Sequence, residues 1–151
     1  RGSITIGGER LPFEGTGHRD HSWGPRDWSA AHRWRWLCGQ MDGFAFNAMY
    51  LTIAGTHVTN GYVWSDERCT PLQALELENT FDGTGLAGRD IRLRLTAAGV
   101  RYDIEGEVLA NVPLPIAGRG FSSMYNVGRA RYRYATHTGY GAAEFLERLD
   151  P

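Results

Sequence analysis

Lysine is missing from this chain: all sixteen basic residues are arginine. No Schiff-base chemistry is open to it, nor phosphoryl transfer that relies on a P-loop or kinase-type lysine. Cysteine is scarce, with only Cys38 and Cys69, too few for a disulfide framework; the expectation is a reduced, cytoplasmic setting. Charge is nearly balanced, at −1 over 151 residues, so no basic excess points to nucleic acid or to an acidic membrane surface. No apolar run reaches the length of a membrane span, and no secretion or lipidation pattern is read. Long stretches of helical periodicity are lacking as well, which argues against a helical fold.

What remains is β structure, punctuated by twenty glycines. Ser3 to Ile6 and Leu11 to Phe13 read as a hairpin around Gly7-Gly8. His32 to Met41 alternates, Asp42-Gly43 is a hairpin turn signal, and Phe44 to Ile53 runs back. Thr56 to Trp64, Leu72 to Phe81, Arg89 to Thr96, Val100 to Val108 and Phe121 to Tyr134 follow as strands, and Tyr140 to Leu149 as a short strand or a helical turn. In Leu72 to Phe81, the leucines Leu75 and Leu77 with Phe81 face inward and Glu76 and Glu78 outward, the pattern of an antiparallel strand with one wet face. Eight or so such strands joined by short turns predict an all-β, antiparallel, up-and-down barrel or strongly curved sheet. A barrel of about eight strands can hold one small ligand.

Gly15 to Trp28 concentrates two His, two Arg, two Asp and two Trp in an irregular, Gly- and Pro-containing stretch. Buried charges need partners, so such a cluster beside indoles marks a partly desolvated polar site. Two motif matches are set aside. Gly83 to Gly88 spells G-x-G-x-x-G, but an alternating strand follows where a dinucleotide site needs a helix. His18-Arg19-Asp20 copies a kinase H-R-D, but Pro25 stands where the metal-binding Asn would be. His18 and His21 with Asp20 and Asp27 match no standard metal-ligand spacing, so neither metal nor cofactor is expected.

Two readings of the cluster stay open. In the catalytic one, His21 is general acid or base, Asp20 assists it and Trp23 walls the cavity. In the structural one, ion pairs drawn from Arg19, Arg26, Asp20 and Asp27 lock a corner of the barrel. Trp34, Trp36, Phe46, Tyr50 and Trp64 fall on neighbouring alternating strands and are candidates to line one cavity; Asn47 is the polar residue among them that needs a partner or a ligand.

The run Gly17-His18-Arg19-Asp20-His21-Ser22-Trp23-Gly24-Pro25-Arg26-Asp27-Trp28, with Asp42-Gly43 after a Trp-rich strand, resembles the AttH-like, lipocalin-like superfamily that includes carotenoid 1,2-hydratases and lipocalin-like pericyclases. The tail Gly139 to Phe145 is similar to that family's closing segment. The resemblance implies a lipocalin-like domain over residues 1–151, the second half of a two-barrel protein, with a preceding lipocalin-like domain as partner. It implies a hydrophobic small-molecule ligand, terpenoid, polyketide or lipid-like, with His21 and Trp23 at the family's His and Trp. Hydratase/lyase or isomerase/cyclase chemistry is then one expectation, and a non-catalytic binding or accessory domain the other. Where the hydratases carry a Tyr and an Asp, this chain offers Tyr50 with Thr52, or Asn47 slightly earlier, and no Asp, so the resemblance implies that this acid is lacking.

Overall fold

The computed structural model describes residues 1–25 and 27–150. Among the described residues, eleven strands make up the regular structure: β1 (Gly2–Ile6), β2 (Glu9–Phe13), β3 (Ala31–Met41), β4 (Phe44–Ile53), β5 (Thr56–Ser65), β6 (Arg68–Pro71), β7 (Ala74–Phe81), β8 (Gly88–Ala97), β9 (Val100–Gly118), β10 (Phe121–Tyr134) and β11 (His137–Arg148). β1 and β2 pair only with each other. The other nine form one antiparallel sheet in the order β6-β5-β4-β3-β11-β10-β9-β8-β7. Strands consecutive in sequence are neighbours throughout, except that β11 returns to pair with β3 and that β6 and β7 are the two edges. The fold is therefore an up-and-down meander whose seam falls between two strands adjacent in the chain.

Hydrogen bonding does not close that seam. It is stitched at one point, where Leu72 N–H donates to Gly61 O of β5 (3.0 Å) and the next residue, Gln73, donates to Thr96 O of β8 (2.8 Å). The sequence reads residues 72–81 as one strand; the break at 72–73 exists because successive amides there serve opposite edges. Exposed edges invite pairing with other chains. Here β6 is only four residues long and β7 carries Glu76 and Glu78.

Turn chemistry sets the register. Ala54-Gly55 and Ala98-Gly99 both have positive φ at two successive residues (46° and 79°; 48° and 76°), the primed turn that matches strand twist. The loop 82–87, the G-x-G-x-x-G match, is organised by Asp82, whose carboxylate accepts from Thr84 N (3.0 Å), so it is a hairpin loop leading into β8. Two strands exceed the sequence reading. β9 runs on past Val108 through Pro113 and Pro115; β8 pairs with it only as far as Glu107, so beyond that point one edge has no neighbour and the missing proline N–H groups cost no ladder bond. β11 is a full central strand, because Gly139 and Gly141 let its backbone press against β3: a Cβ on either would stand 1.8 Å from a β3 carbonyl oxygen.

The concave side of the sheet holds the core. Leu37, Phe46, Leu93, Ile104, Tyr132 and Phe145 are among its buried side chains. Tyr132 meets Phe46 edge-on at 5.0 Å and donates its hydroxyl to Ala142 O (2.8 Å), which satisfies its polar atom inside an apolar core. Burial above all pushes the Tyr132 phenol well above its ordinary range.

Candidate functional site

An antiparallel sheet with one buried face normally keeps the other polar and wet. The convex face of β3, β11 and β10 breaks that rule. In register across β3 and β11 lie Trp34 and Leu146, Trp36 and Glu144, Cys38 and Ala142, then Gln40 and Tyr140. Leu146 and Cys38 are buried although they point away from the core, because residues 14–25 and 27–30, which form no strand, cross over this face.

Stacking and a few hydrogen bonds hold the crossing. His18 sits edge-on to Trp36 at 5.7 Å, and Gln40 Nε2 donates to Gly17 O (3.0 Å). Trp28 stacks on Trp34 at 6.4 Å and meets Tyr125 at 6.3 Å. Asp27 turns the chain into β3: its Oδ1 accepts from Ser29 N (2.9 Å) and Ser29 Oγ, and its carbonyl from Ala30 N (3.3 Å). Those Ser29 hydrogen bonds hold the Asp27 carboxyl below its usual range. Arg148 secures the same corner by donating to Ser29 O (2.5 Å).

Beneath the crossing lie adjoining hollows. One of about 700 Å³ runs between Gly15–Asp20 and the sheet, against Trp36, Cys38, Gln40 and Tyr140. A wider one of about 900 Å³ continues past His18 to Tyr62 and Trp64. A tight one of about 130 Å³ is enclosed by Asp20, Ser22, Trp28, Trp36, Tyr125 and Glu144. In this last space, which Trp34 also lines, two carboxylates meet four large rings, and the Tyr125 hydroxyl donates to Glu144 Oε2. Burial raises the Cys38 thiol and the Tyr62 phenol above their ordinary values.

The residues expected from sequence to share one cavity are split between the two faces. Phe46 and Tyr50 point into the concave side, Phe46 fully buried. Trp34, Trp36, Asn47 and Trp64 share the convex parity, since Cys38 pairs with Asn47 and Asn47 with Tyr62. Alternation groups residues by parity within each strand, whereas the hairpin registers decide which parities coincide. The Asn47 amide is within 3.5 Å of Leu37 O, a partner on the neighbouring strand.

The polar stretch divides too. Asp20 lines the hollows; His21 and Trp23 pack on each other at 5.2 Å, and Trp23 is 83% exposed. The groove histidine is His18. Arg19 Nη2 stands 3.5 Å from His21 Nδ1, and no ion pair among the described residues involves Arg19, Asp20 or Asp27. Arg26 lies outside the described residues. Sequence alone does not mark Glu144, Tyr125, Tyr140 or Gln40 as site residues, because a final segment read as a short strand or helical turn has no register against Trp36. Among the described residues no three His, Cys, Asp or Glu come together as a metal site, and no helix is long and apolar enough to cross a membrane.

A family described as "Domain of unknown function (DUF7064)" matches residues 1–148. The chain belongs to this family. No curated protein sequence matches this DUF7064 domain significantly. Among solved structures it is similar to CghA, at TM-score 0.59 and 15% identity over 80% of this chain and 42% of CghA. It is similar to CghA crystallised with Sch210972, at TM-score 0.58, again with 15% identity and the same coverage. Kievitone hydratase from Nectria haematococca matches at TM-score 0.57 and 15% identity, over 96% of this chain and 49% of the hydratase. At this identity the likeness establishes the fold, a lipocalin-like β fold. The DUF7064 chain spans less than half the length of these structures.

Proposed function

We propose that this DUF7064 domain binds a hydrophobic small molecule in the groove between Gly15–Asp20, with Trp28, and the convex face of β3 and β11, and transforms it by proton transfer of the lyase or isomerase kind. The observation that carries this reading is the placement of Asp20 and the Tyr125–Glu144 pair against Trp28, Trp34 and Trp36. Indole faces shelter an apolar or cationic carbon skeleton, and a carboxyl group within reach supplies or removes a proton. These carboxylates take the place of the acid that the sequence lacks beside Tyr50. The likeness in fold to a hydratase and to CghA, one structure of which is with Sch210972, supports the reading. The groove is open along one side; a preceding lipocalin-like domain would cover it and complete the pocket.

Native mass spectrometry of the protein purified from its source, beside Trp36→Ala and Glu144→Gln, tests this. A co-purifying apolar ligand in the wild type and in Glu144→Gln, lost in Trp36→Ala, is the expected result. A ligand of different mass in Glu144→Gln than in the wild type would identify unreacted substrate. Retention of the ligand by Trp36→Ala overturns the groove as the site. Without such a ligand, Nile red, uncharged and apolar, serves as the probe, and unchanged dye affinity in Trp36→Ala overturns the groove in the same way.

A further inference from the structure

The stitched end of the seam leaves the rest of it unzipped, and there the concave side of the sheet opens to solvent. Between β7 and the β3–β4 pair lies a cleft of about 490 Å³, separate from the convex groove and on the opposite face of the sheet. One wall is apolar: Leu75, Leu77 and Phe81 of β7. The other is cationic and hydroxylic: Arg33, Arg35 and Tyr50.

The polar groups are arranged around an unmet need. Arg35 is 3% exposed, a charge that burial alone would not tolerate. Its head is held by Trp34 O (2.9 Å), Leu146 O (3.1 Å) and Glu147, and lies over the rings of Phe81 and Phe145, each at 5.3 Å. Glu147 also meets Arg33 Nε (3.4 Å), so one carboxylate serves two guanidinium groups and the inward-facing charges sum to one positive. Glu78 borders the cleft from the other parity of β7, where it is in register with Arg92. Asn79 faces the cleft from β7 with its Nδ2 buried and no hydrogen-bond partner among the described residues. A buried amide without an acceptor costs stability, and an acceptor is what an anionic ligand supplies. Tyr50 Oη, held 2.8 Å from His57 Nδ1, stands on the same wall.

We propose that this unzipped part of the seam is a second ligand site, one that takes a small amphipathic carboxylate. The carboxylate accepts from Arg33 and from the Asn79 amide, and the apolar body lies along Leu75, Leu77 and Phe81. Half-exposed Arg33 marks the mouth and buried Arg35 the floor. The site does not depend on the convex groove being functional.

The test uses octanoate, with octanol as its uncharged counterpart, on the isotope-labelled full chain followed by amide NMR. Octanoate is expected to shift Tyr50, Leu77 and Asn79, and octanol to leave them in place. Arg33→Gln is expected to weaken octanoate about tenfold, the scale of one lost charge-assisted hydrogen bond. Asn79→Leu replaces the unpaired amide with an apolar group of similar shape; it is expected to abolish octanoate binding while leaving the melting temperature unchanged or higher. Trp36→Ala, on the other face, is expected to leave octanoate affinity intact. Equal binding of octanol and octanoate overturns the proposal, as does loss of octanoate in Trp36→Ala. A melting temperature that falls in Asn79→Leu with octanoate retained makes Asn79 a structural residue and overturns it too, and so does the absence of any shift at millimolar octanoate.

Discussion

The two faces of β3, β11 and β10 are built from alternate residues of the same strands, yet they follow different rules. On the concave face Leu37, Ala130, Tyr132, Ala143 and Phe145 are sealed from solvent, and glycines such as Gly88 make room for the Phe145 ring. On the convex face Trp34, Trp36, Glu144 and Tyr125 are covered by a segment with no strand pairing, and hollows remain between cover and sheet. Close packing holds a fold together because removed atoms leave cavities that the surroundings only partly fill. A loosely covered aromatic face holds little of the fold and keeps room for a guest. Close packing and loose cover are thus separated by one step of strand parity.

The comparison breaks most visibly at Phe145. Truncation to Ala removes a fully buried ring that packs on Phe81 at 6.1 Å and underlies Arg35, and is expected to cost about 3–5 kcal/mol in denaturant unfolding. Trp36→Ala removes a ring of comparable size from the convex face of a neighbouring strand and is expected to cost only about 1–2 kcal/mol, since part of that ring is already wet. Equal losses would mean that the cover over residues 31–41 is as much a part of the core as the concave face.

What can be read from sequence follows the same division. The strands, their alternation and the Asp42-Gly43 turn are local, so period and turn chemistry reveal them, and the all-β curved sheet follows. Lateral placement is not local. Nothing in the alternation of β3 states that its partner besides β4 is the last strand, and Gly139 and Gly141, which permit that close pairing, read as strand breakers when met alone. The aromatic residues are legible as a set, but the face of each depends on register, so Phe46 and Tyr50 separate from Trp34, Trp36 and Trp64. In the polar stretch, composition singles out the segment that crosses the sheet but does not say which of its histidines turns towards the sheet.

A finer test of the division uses the two thiols. Cys38 is buried only because Gly15–Asp20 covers the convex face, while Cys69 is exposed. Burial raises the Cys38 thiol above its ordinary value, so the folded chain favours the neutral thiol more than the unfolded chain does. That contribution is fully present below the unfolded thiol's range and is lost as pH rises through the folded value. An aromatic disulfide reagent near pH 8 is therefore expected to titrate one thiol per chain at once and the second much more slowly, and Cys69→Ser to abolish the fast phase. With rising pH the slow phase is expected to accelerate and the melting temperature to fall, less so in Cys38→Ala. Two thiols reacting at one rate would show that the cover opens as fast as the reagent arrives, and the groove would then be an intermittent feature of the convex face.

The smallest effect is expected at the residues most prominent in sequence. His21 and Trp23 contact each other, Trp23 is largely in solvent, and neither borders the hollows under the crossing segment. Exposed substitutions away from buried networks change stability by about 0.5 kcal/mol or less, so His21→Ala and Trp23→Ala should unfold with the wild type. Against a co-purified ligand or Nile red they should also bind as the wild type does, where Trp36→Ala does not. If instead both variants keep their stability but lose ligand, the His21–Trp23 pair must fold down onto the groove when it is occupied. The polar stretch would then act as a closing flap hinged near Gly24, whose φ of 122° lies in the region that glycine alone adopts readily. Loss of binding in Trp23→Ala alone, with His21→Ala unaffected, would assign that flap an apolar role.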